Sequence, residues 1–289
     1  MSEPFANREL ELADGRRLSV RLRDGDGEPL VMLHGLLDCA EGWDPLAVAV
    51  ERPSIAFDLP GFGGSDLPLR PRISAYADDV LAGLDLLGVE SWFLAGHSLG
   101  GAVATAMAER AAARTSALIL VAPAGFGRIH LAEAVSVPGV RNLTQALLPF
   151  AMARSRMVGL AYTTMVTNGC AIDEGTLTRT LGRAGQATPG AREATRAVVA
   201  AGLSERAFHR RPVAYPGPVW AVWGDRDRLV PPGHADAVRR AFPHAIVERW
   251  KGVGHHPLHE CPERFLAFVD RALRAPDFER PARARGIAA

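Results

Sequence analysis

Gly96-His97-Ser98-Leu99-Gly100 sets a serine between two glycines where an apolar run, SWFLAGHS (91–98), gives way to an alanine-rich one, SLGGAVATAMAERAAAR (98–114). The pattern G-x-S-x-G, with a strand before and a helix after, holds a serine on a sharp turn as a nucleophile. The reason is steric. Strand and helix approach closely at such a turn, so the positions two residues either side of the serine must lack a side chain. The turn lifts the hydroxyl to the end of the sheet, and the helix N-terminus offers backbone N–H groups to a developing oxyanion.

A serine hydroxyl is too weakly acidic to attack a carbonyl unaided, so it needs a base, normally a histidine oriented by a carboxylate. Of nine histidines, His255 is the best placed: it follows a strand through Gly252 and Gly254 and so lands in a loop at the strand's carboxyl end. His256 is its nearest rival. His97 is expected to point away from the pocket, and His209, His234, His244 and His259 sit in contexts typical of solvated residues. The carboxylate should lie on another loop at that edge. WGDRDRLVP (223–231) offers Asp225 and Asp227, and Asp225 also suits capping of the turn after Gly224.

The elements that must position these groups can be read from periodicity. ELELADGRRLSVRLRD (9–24) alternates around Asp14-Gly15 and predicts an antiparallel hairpin. The runs PLVMLHG (29–35), SIAFDLPG (54–61), SWFLAGHS (91–98), ALILVAP (117–123), PVWAVWGD (218–225) and AIVERWKGVGH (245–255) read as strands of a parallel sheet buried on both faces. Helical spacing recurs between them in 73–89, 98–114, 234–242 and 262–274, the first with Ser74 as its N-cap and Gly88 at its close. Strand–helix alternation with right-handed crossovers predicts an α/β doubly wound sheet whose carboxyl edge is the active face. The alternation lapses over 125–212, which reads as a helical insertion between core segments 1–124 and 213–275, and the Pro- and Arg-rich tail 276–289 reads as disordered.

Composition excludes several classes of function. Lys plus Arg total 33 against 32 Asp plus Glu, a net charge of +1, which gives no field to attract nucleic acid or an anionic membrane. Apolar residues at 48% supply a core, yet no segment reaches the roughly 18 residues of a spanning helix, and the N-terminal stretch lacks a secretory h-region. Cys39, Cys170 and Cys261 are too few and scattered for a disulfide framework, so a cytoplasmic protein is expected. No G-x-G-x-x-G follows the first strand of the sheet and no G-K-[ST] loop occurs, which argues against a nucleotide cofactor. His255-His256-x-x-His259 reads as a loop run with no helix to align it, so neither metal nor cofactor is expected.

At four motifs the chain resembles the α/β-hydrolase family: HGLL (34–37), DLPGFGGSD (58–66), GHSLGG (96–101), and GDRD (224–227) with GH (254–255) followed by ECPE (260–263). The resemblance spans nearly everything outside the insertion, and the chain order serine, acid, histidine is the hydrolase order. It implies Ser98 as nucleophile, Asp227 as acid, His255 as base, and an oxyanion hole at the backbone N–H groups of Leu36 and Leu99. It gives His34 and Gly35 a part in shaping the oxyanion loop and Asp58 a structural part, and makes the insertion a cap over the site.

The expected activity is hydrolysis of a carboxylic ester, or a related acyl bond, of a small apolar substrate through an acyl-enzyme. Two alternatives stand beside it. One is carbon–carbon hydrolysis of a ring-cleavage product, or cofactor-free peroxidase chemistry, on the same three residues. The other is a binding protein that keeps the scaffold without catalysis.

Overall fold

The alternating start of the chain forms β1 (Ala6–Glu11) and β2 (Arg17–Arg23), an antiparallel pair in a computed structural model that describes residues 5–36, 38–70, 72–129, 166–167, 208 and 211–274. The apolar runs form β3 (Leu30–Leu33), β4 (Ser54–Phe57), β5 (Trp92–His97), β6 (Thr115–Val121), β7 (Val219–Gly224) and β8 (Ile246–Trp250). They join in one eight-stranded sheet of order β1-β2-β4-β3-β5-β6-β7-β8, parallel from β4 to β8. In β3, Val31 and Leu33 enter the core on one face while Leu30 and Met32 enter the core on the other. That is the two-residue period of a strand covered on both sides.

The covering helices follow from the connections. α1 (Asp44–Ala49), entered through a 3-10 turn at Ala40–Trp43, packs on the Leu30–Met32 face with α5 (Pro257–Glu260) and α6 (Pro262–Leu273). α2 (Ile73–Leu86), α3 (Leu99–Arg110) and α4 (His234–Ala241) pack on the opposite face. Arginine and glutamate tie the periphery: Arg16 forks onto both oxygens of Asp79 in α2 at 2.7 and 2.8 Å, and Arg211 pairs with Glu109 at the end of α3.

Two local expectations need correction. Ser74 lies inside α2 rather than at its cap. Arg72 holds that position and its carbonyl accepts from Ala75 and Tyr76, so the cap lies two residues earlier and the buried Ile73 starts the helix. β8 is not buried on both faces, because it pairs with β7 alone at the sheet's edge and its Glu248 and Arg249 reach out to Arg271 and Asp236. The insertion at 125–212 and the tail at 276–289 lie, apart from 125–129, 166–167, 208 and 211–212, outside the described residues. The chain leaves the sheet after Val121 and returns at Val219, directly beside β6. Phe208 packs on Phe126 with ring centroids 5.4 Å apart.

Phe57 ends β4 with no exposure and is wedged against Leu18 and α2 in the larger core. Phe57→Ala should cost about 3–5 kcal/mol of unfolding free energy in urea, and a loss below about 1 kcal/mol would contradict this packing.

Candidate active site

Ser98 sits between β5 and α3 in left-handed backbone, φ 52° and ψ −114°. A non-glycine residue enters that region only when its surroundings impose it. Here they do: Ser98 N–H donates to Val121 O at 2.9 Å, and Ser98 O accepts from Gly101, Ala102 and Ala124. A Cβ on Gly96 would meet the Gly100 carbonyl oxygen at 2.4 Å, and one on Gly100 would meet Leu33 O at 2.2 Å. Both flanking glycines are therefore required by contact with backbone that cannot yield.

The loop after β8 delivers His255, whose side chain is buried. Its Nδ1 lies 2.7 Å from Oδ2 of Asp227, itself buried in the loop after β7. Oδ1 of Asp227 accepts from the N–H groups of Leu229 and Val230, both at 2.8 Å. The carboxylate is thus fixed on one side and presents its other oxygen to the imidazole, which places the proton on Nδ1 and leaves Nε2 as the basic nitrogen. Asp225, the alternative acid, is instead exposed and accepts from Gly252 N–H at 2.7 Å, joining the turns after β7 and β8. Of the two carboxylates, Asp227 is the one in contact with His255 among the described residues.

The backbone of His255 is held as firmly as its ring. Its N–H donates to Val166 O at 2.6 Å and its carbonyl accepts from Nε2–H of His97 at 2.9 Å. His97 does not stand aside in solvent. It is buried, with its ring 4.7 Å from that of His255, and burial together with the neighbouring His256 ring holds its pKa well below the usual histidine range. The rival base His256 faces away from Asp227 and toward Asp38, its Nε2 3.7 Å from Oδ2 of that carboxylate. Burial lowers its pKa as well. Glu260 clasps the same loop, accepting from Gly254 N–H at 2.6 Å and His256 N–H at 3.0 Å, and burial raises its carboxyl pKa.

The early loops are structural in the way expected of them. His34 accepts from Leu59 N–H through Nε2 at 3.0 Å and donates from Nδ1 to Gly35 O at 2.7 Å. Asp58 accepts from Ala40 at 2.8 Å and Gly64 at 2.9 Å, fastening the loop after β4 to the segment that follows Leu36. Leu99 opens α3 directly after Ser98, and Leu36 lies in the loop after β3.

Some expectations about the other residues change. His234 is buried rather than solvated, with Nε2 3.1 Å from Arg128 O. His209 and Cys170 lie outside the described residues. Sequence reasoning missed the positioning contacts of Val166, His97 and Glu260. Glu260 stands in the ECPE motif, whereas nothing in sequence spacing announces a contact between His97 and a residue 158 positions away. Metal-type ligands also converge from distant segments: one donor atom each from Asp38, His97 and His256 lies within 4.8 Å of the others. A short helix, α5, does follow His256 and carries His259.

A mostly parallel sheet flanked by helices, with a serine on a strained strand–helix turn and a histidine–carboxylate pair at the same edge, defines the α/β-hydrolase class. The chain belongs to that family, whose model, described as alpha/beta hydrolase fold, matches residues 28–262. It is 30% identical over 272 residues to an uncharacterised protein of Mycobacterium tuberculosis, covering 90% of this chain and 79% of the other. Over 134 residues it is 37% identical to a 2-hydroxy-6-oxononadienedioate/2-hydroxy-6-oxononatrienedioate hydrolase of Comamonas testosteroni, covering 43% of this chain and 46% of that one. A solved esterase from Rhodococcus sp. ECU1013 superposes with a TM-score of 0.68 at 25% identity, covering 91% of this chain and 97% of the esterase. No described helix is long and apolar enough to cross a membrane.

Gly100→Ala tests the turn without touching a titratable group. The clash with Leu33 O should lower stability by about 3 kcal/mol or more, seen as a fall of at least about 6 °C in thermal unfolding midpoint. A variant as stable as the parent would refute the close approach.

Proposed function

We propose that the chain is a serine hydrolase that cleaves a carboxylic ester, or a related acyl bond, of a small apolar molecule. The observation that carries this reading is the buried 2.7 Å contact from His255 Nδ1 to Asp227 Oδ2, at the sheet edge where Ser98 stands on its strained turn.

His255 Nε2 removes the proton of Ser98 Oγ as the oxygen bonds to the substrate carbonyl carbon, and Asp227 stabilises the imidazolium that forms. The backbone N–H groups of Leu36 and Leu99 receive the negative charge that develops on the carbonyl oxygen. Collapse of the tetrahedral intermediate breaks the ester C–O bond, and His255 returns its proton to the departing alcohol. Water then attacks the acyl-enzyme, giving one proton to His255, and the acid leaves as Ser98 recovers its hydrogen. His34, Asp58 and Glu260 take no proton in this sequence; they hold the loops on which the donors and the base are carried. No step calls for a metal or an organic cofactor.

A second reading, hydrolysis of a carbon–carbon bond in a ring-cleavage product, is favoured by the local identity to the Comamonas testosteroni hydrolase. It uses the same base and oxyanion donors but expels a carbanion, which the substrate must stabilise as an enolate. Assay of one preparation with esters, thioesters, lactones and vinylogous diketones separates the two, and turnover of the diketones alone would overturn the esterase reading.

Ser98→Ala should reduce hydrolysis of a p-nitrophenyl acylate by about 10³-fold or more and abolish labelling by a fluorophosphonate probe, with the fold intact. Activity near that of the parent would refute the nucleophile, and a parent protein that neither labels nor turns over any ester would favour a non-catalytic binding role. Asp227→Asn should lower kcat by about 10³–10⁴-fold, because the amide stabilises the wrong imidazole tautomer. Asp225→Asn should leave kcat within about threefold, since its contact is with Gly252 alone among those described.

A further inference from the structure

Three side chains next to the candidate site are used by none of the chemistry above. His97 precedes the serine, His256 follows the base, and Asp38 lies three residues beyond Gly35 in the loop after β3. They come from three separate segments, yet one donor atom of each lies within 4.8 Å of the other two. The two imidazoles are more than nine-tenths buried. Nδ1 of His97 and both nitrogens of His256 have no hydrogen-bond partner among the described residues. Buried polar atoms are costly without a partner, and a concentration of them in one place marks a missing ligand.

The neighbours leave the right atoms open. Nε2–H of His97 is committed to the carbonyl of His255 at 2.9 Å, so Nδ1 bears the lone pair. A histidine that donates one ring N–H to a backbone carbonyl while presenting the other nitrogen is arranged as a metal ligand usually is. Oδ1 of Asp38 is taken by Cys39 N–H at 2.8 Å, and Oδ2 faces Nε2 of His256 at 3.7 Å. Glycines make the room: a Cβ on Gly35 would stand 2.9 Å from His97 Nδ1, and one on Gly42 would stand 2.7 Å from Asp38 Oδ1. The Asp38 side chain, at 10% exposure, is the most accessible of the three and marks the way in.

We infer that Asp38, His97 and His256 form a binding site for a divalent transition metal, with Zn²⁺ the best match to two neutral imidazoles and one carboxylate. Such a donor set suits tetrahedral coordination, with water at the fourth position. The separations contract modestly on binding, since ligand atoms around a tetrahedral ion stand about 3.3–3.5 Å apart at metal–ligand distances of about 2.0–2.2 Å. Binding displaces water and requires no redox step or proton transfer. The ion fastens the loop after β3 to the residues flanking both Ser98 and His255, so it is a staple beneath the site rather than a participant in the reaction. The inference is independent of what Ser98 attacks.

The test uses the full chain, stripped with a chelator and titrated with Co²⁺ as a spectroscopic stand-in and with Zn²⁺ in thermal unfolding. The expected result is saturable visible absorption of tetrahedral Co²⁺ and a rise in unfolding midpoint with Zn²⁺, both retained in Ser98→Ala. Asp38→Asn should weaken binding by about 10- to 100-fold, and His256→Asn should do so at least as strongly. Asp236→Asn, which alters an exposed carboxylate on α4, should bind as the parent does. Circular dichroism checks that each variant folds, and if His256→Asn does not, Asp38→Asn decides alone. Two results overturn the site: a parent that gives neither absorption nor stabilisation, in which case ordered water alone satisfies these nitrogens, or a folded Asp38→Asn that binds as tightly as the parent.

Discussion

The candidate site depends on a close approach of main chains, where β5 turns into α3 over the end of β3. Because Leu33 O, the Gly100 carbonyl and the α carbon of Gly101 occupy the space any side chain would need, positions 96 and 100 can only be glycine. That closeness forces Ser98 into left-handed backbone, a conformation that costs of order 1–3 kcal/mol. Its hydrogen bonds to Val121, Gly101, Ala102 and Ala124 hold it there. Ala122, at the end of the neighbouring strand, has the only other positive φ of a non-glycine among the described residues, 42°. The strain is therefore confined to the adjacent carboxyl ends of β5 and β6, where the sheet's order places the active edge.

From that fixed point His255 is located by four contacts from different parts of the chain. Asp227 orients the ring of His255, Val166 holds its N–H, His97 holds its carbonyl, and Glu260 fixes the residues on either side. His97 is adjacent in sequence to Ser98, so the turn at Ser98 and the loop that carries His255 are joined through one imidazole, by a bond of 2.9 Å. Burial keeps that imidazole neutral, and a neutral His97 adds no charge to compete with the one that His255 would acquire.

The parallel sheet was legible because each strand is short, apolar and bounded by a turn, and because buried strands have no cause to alternate. β8 was read as a strand as well, but its place at the sheet's edge was not, since nothing in 245–255 says that one of its sides faces solvent. The turn at Ser98 and the loop that carries His255 were legible from glycine spacing, a direct record of steric need. The residues alone did not separate Asp225 from Asp227, which follow the same strand two residues apart; the family resemblance pointed to Asp227, and it is Asp227 that reaches His255. His97 and His256 were illegible for another reason. Their partners lie far away in sequence, and a tertiary contact leaves no period or motif behind.

The alternatives at Asp225 and Asp227 also show how a hydrolase loop assigns two like residues to unlike tasks. Asp225 is exposed and accepts from Gly252 N–H. Asp227 accepts two backbone N–H groups and one imidazole N–H, so both of its oxygens are engaged. A carboxylate held in this way offers its second oxygen to the imidazole of His255, which is the arrangement an orienting acid requires. The sequence keeps Arg226 and Arg228 on the flanks of Asp227, and the turn's alternation directs the carboxylate inward between them.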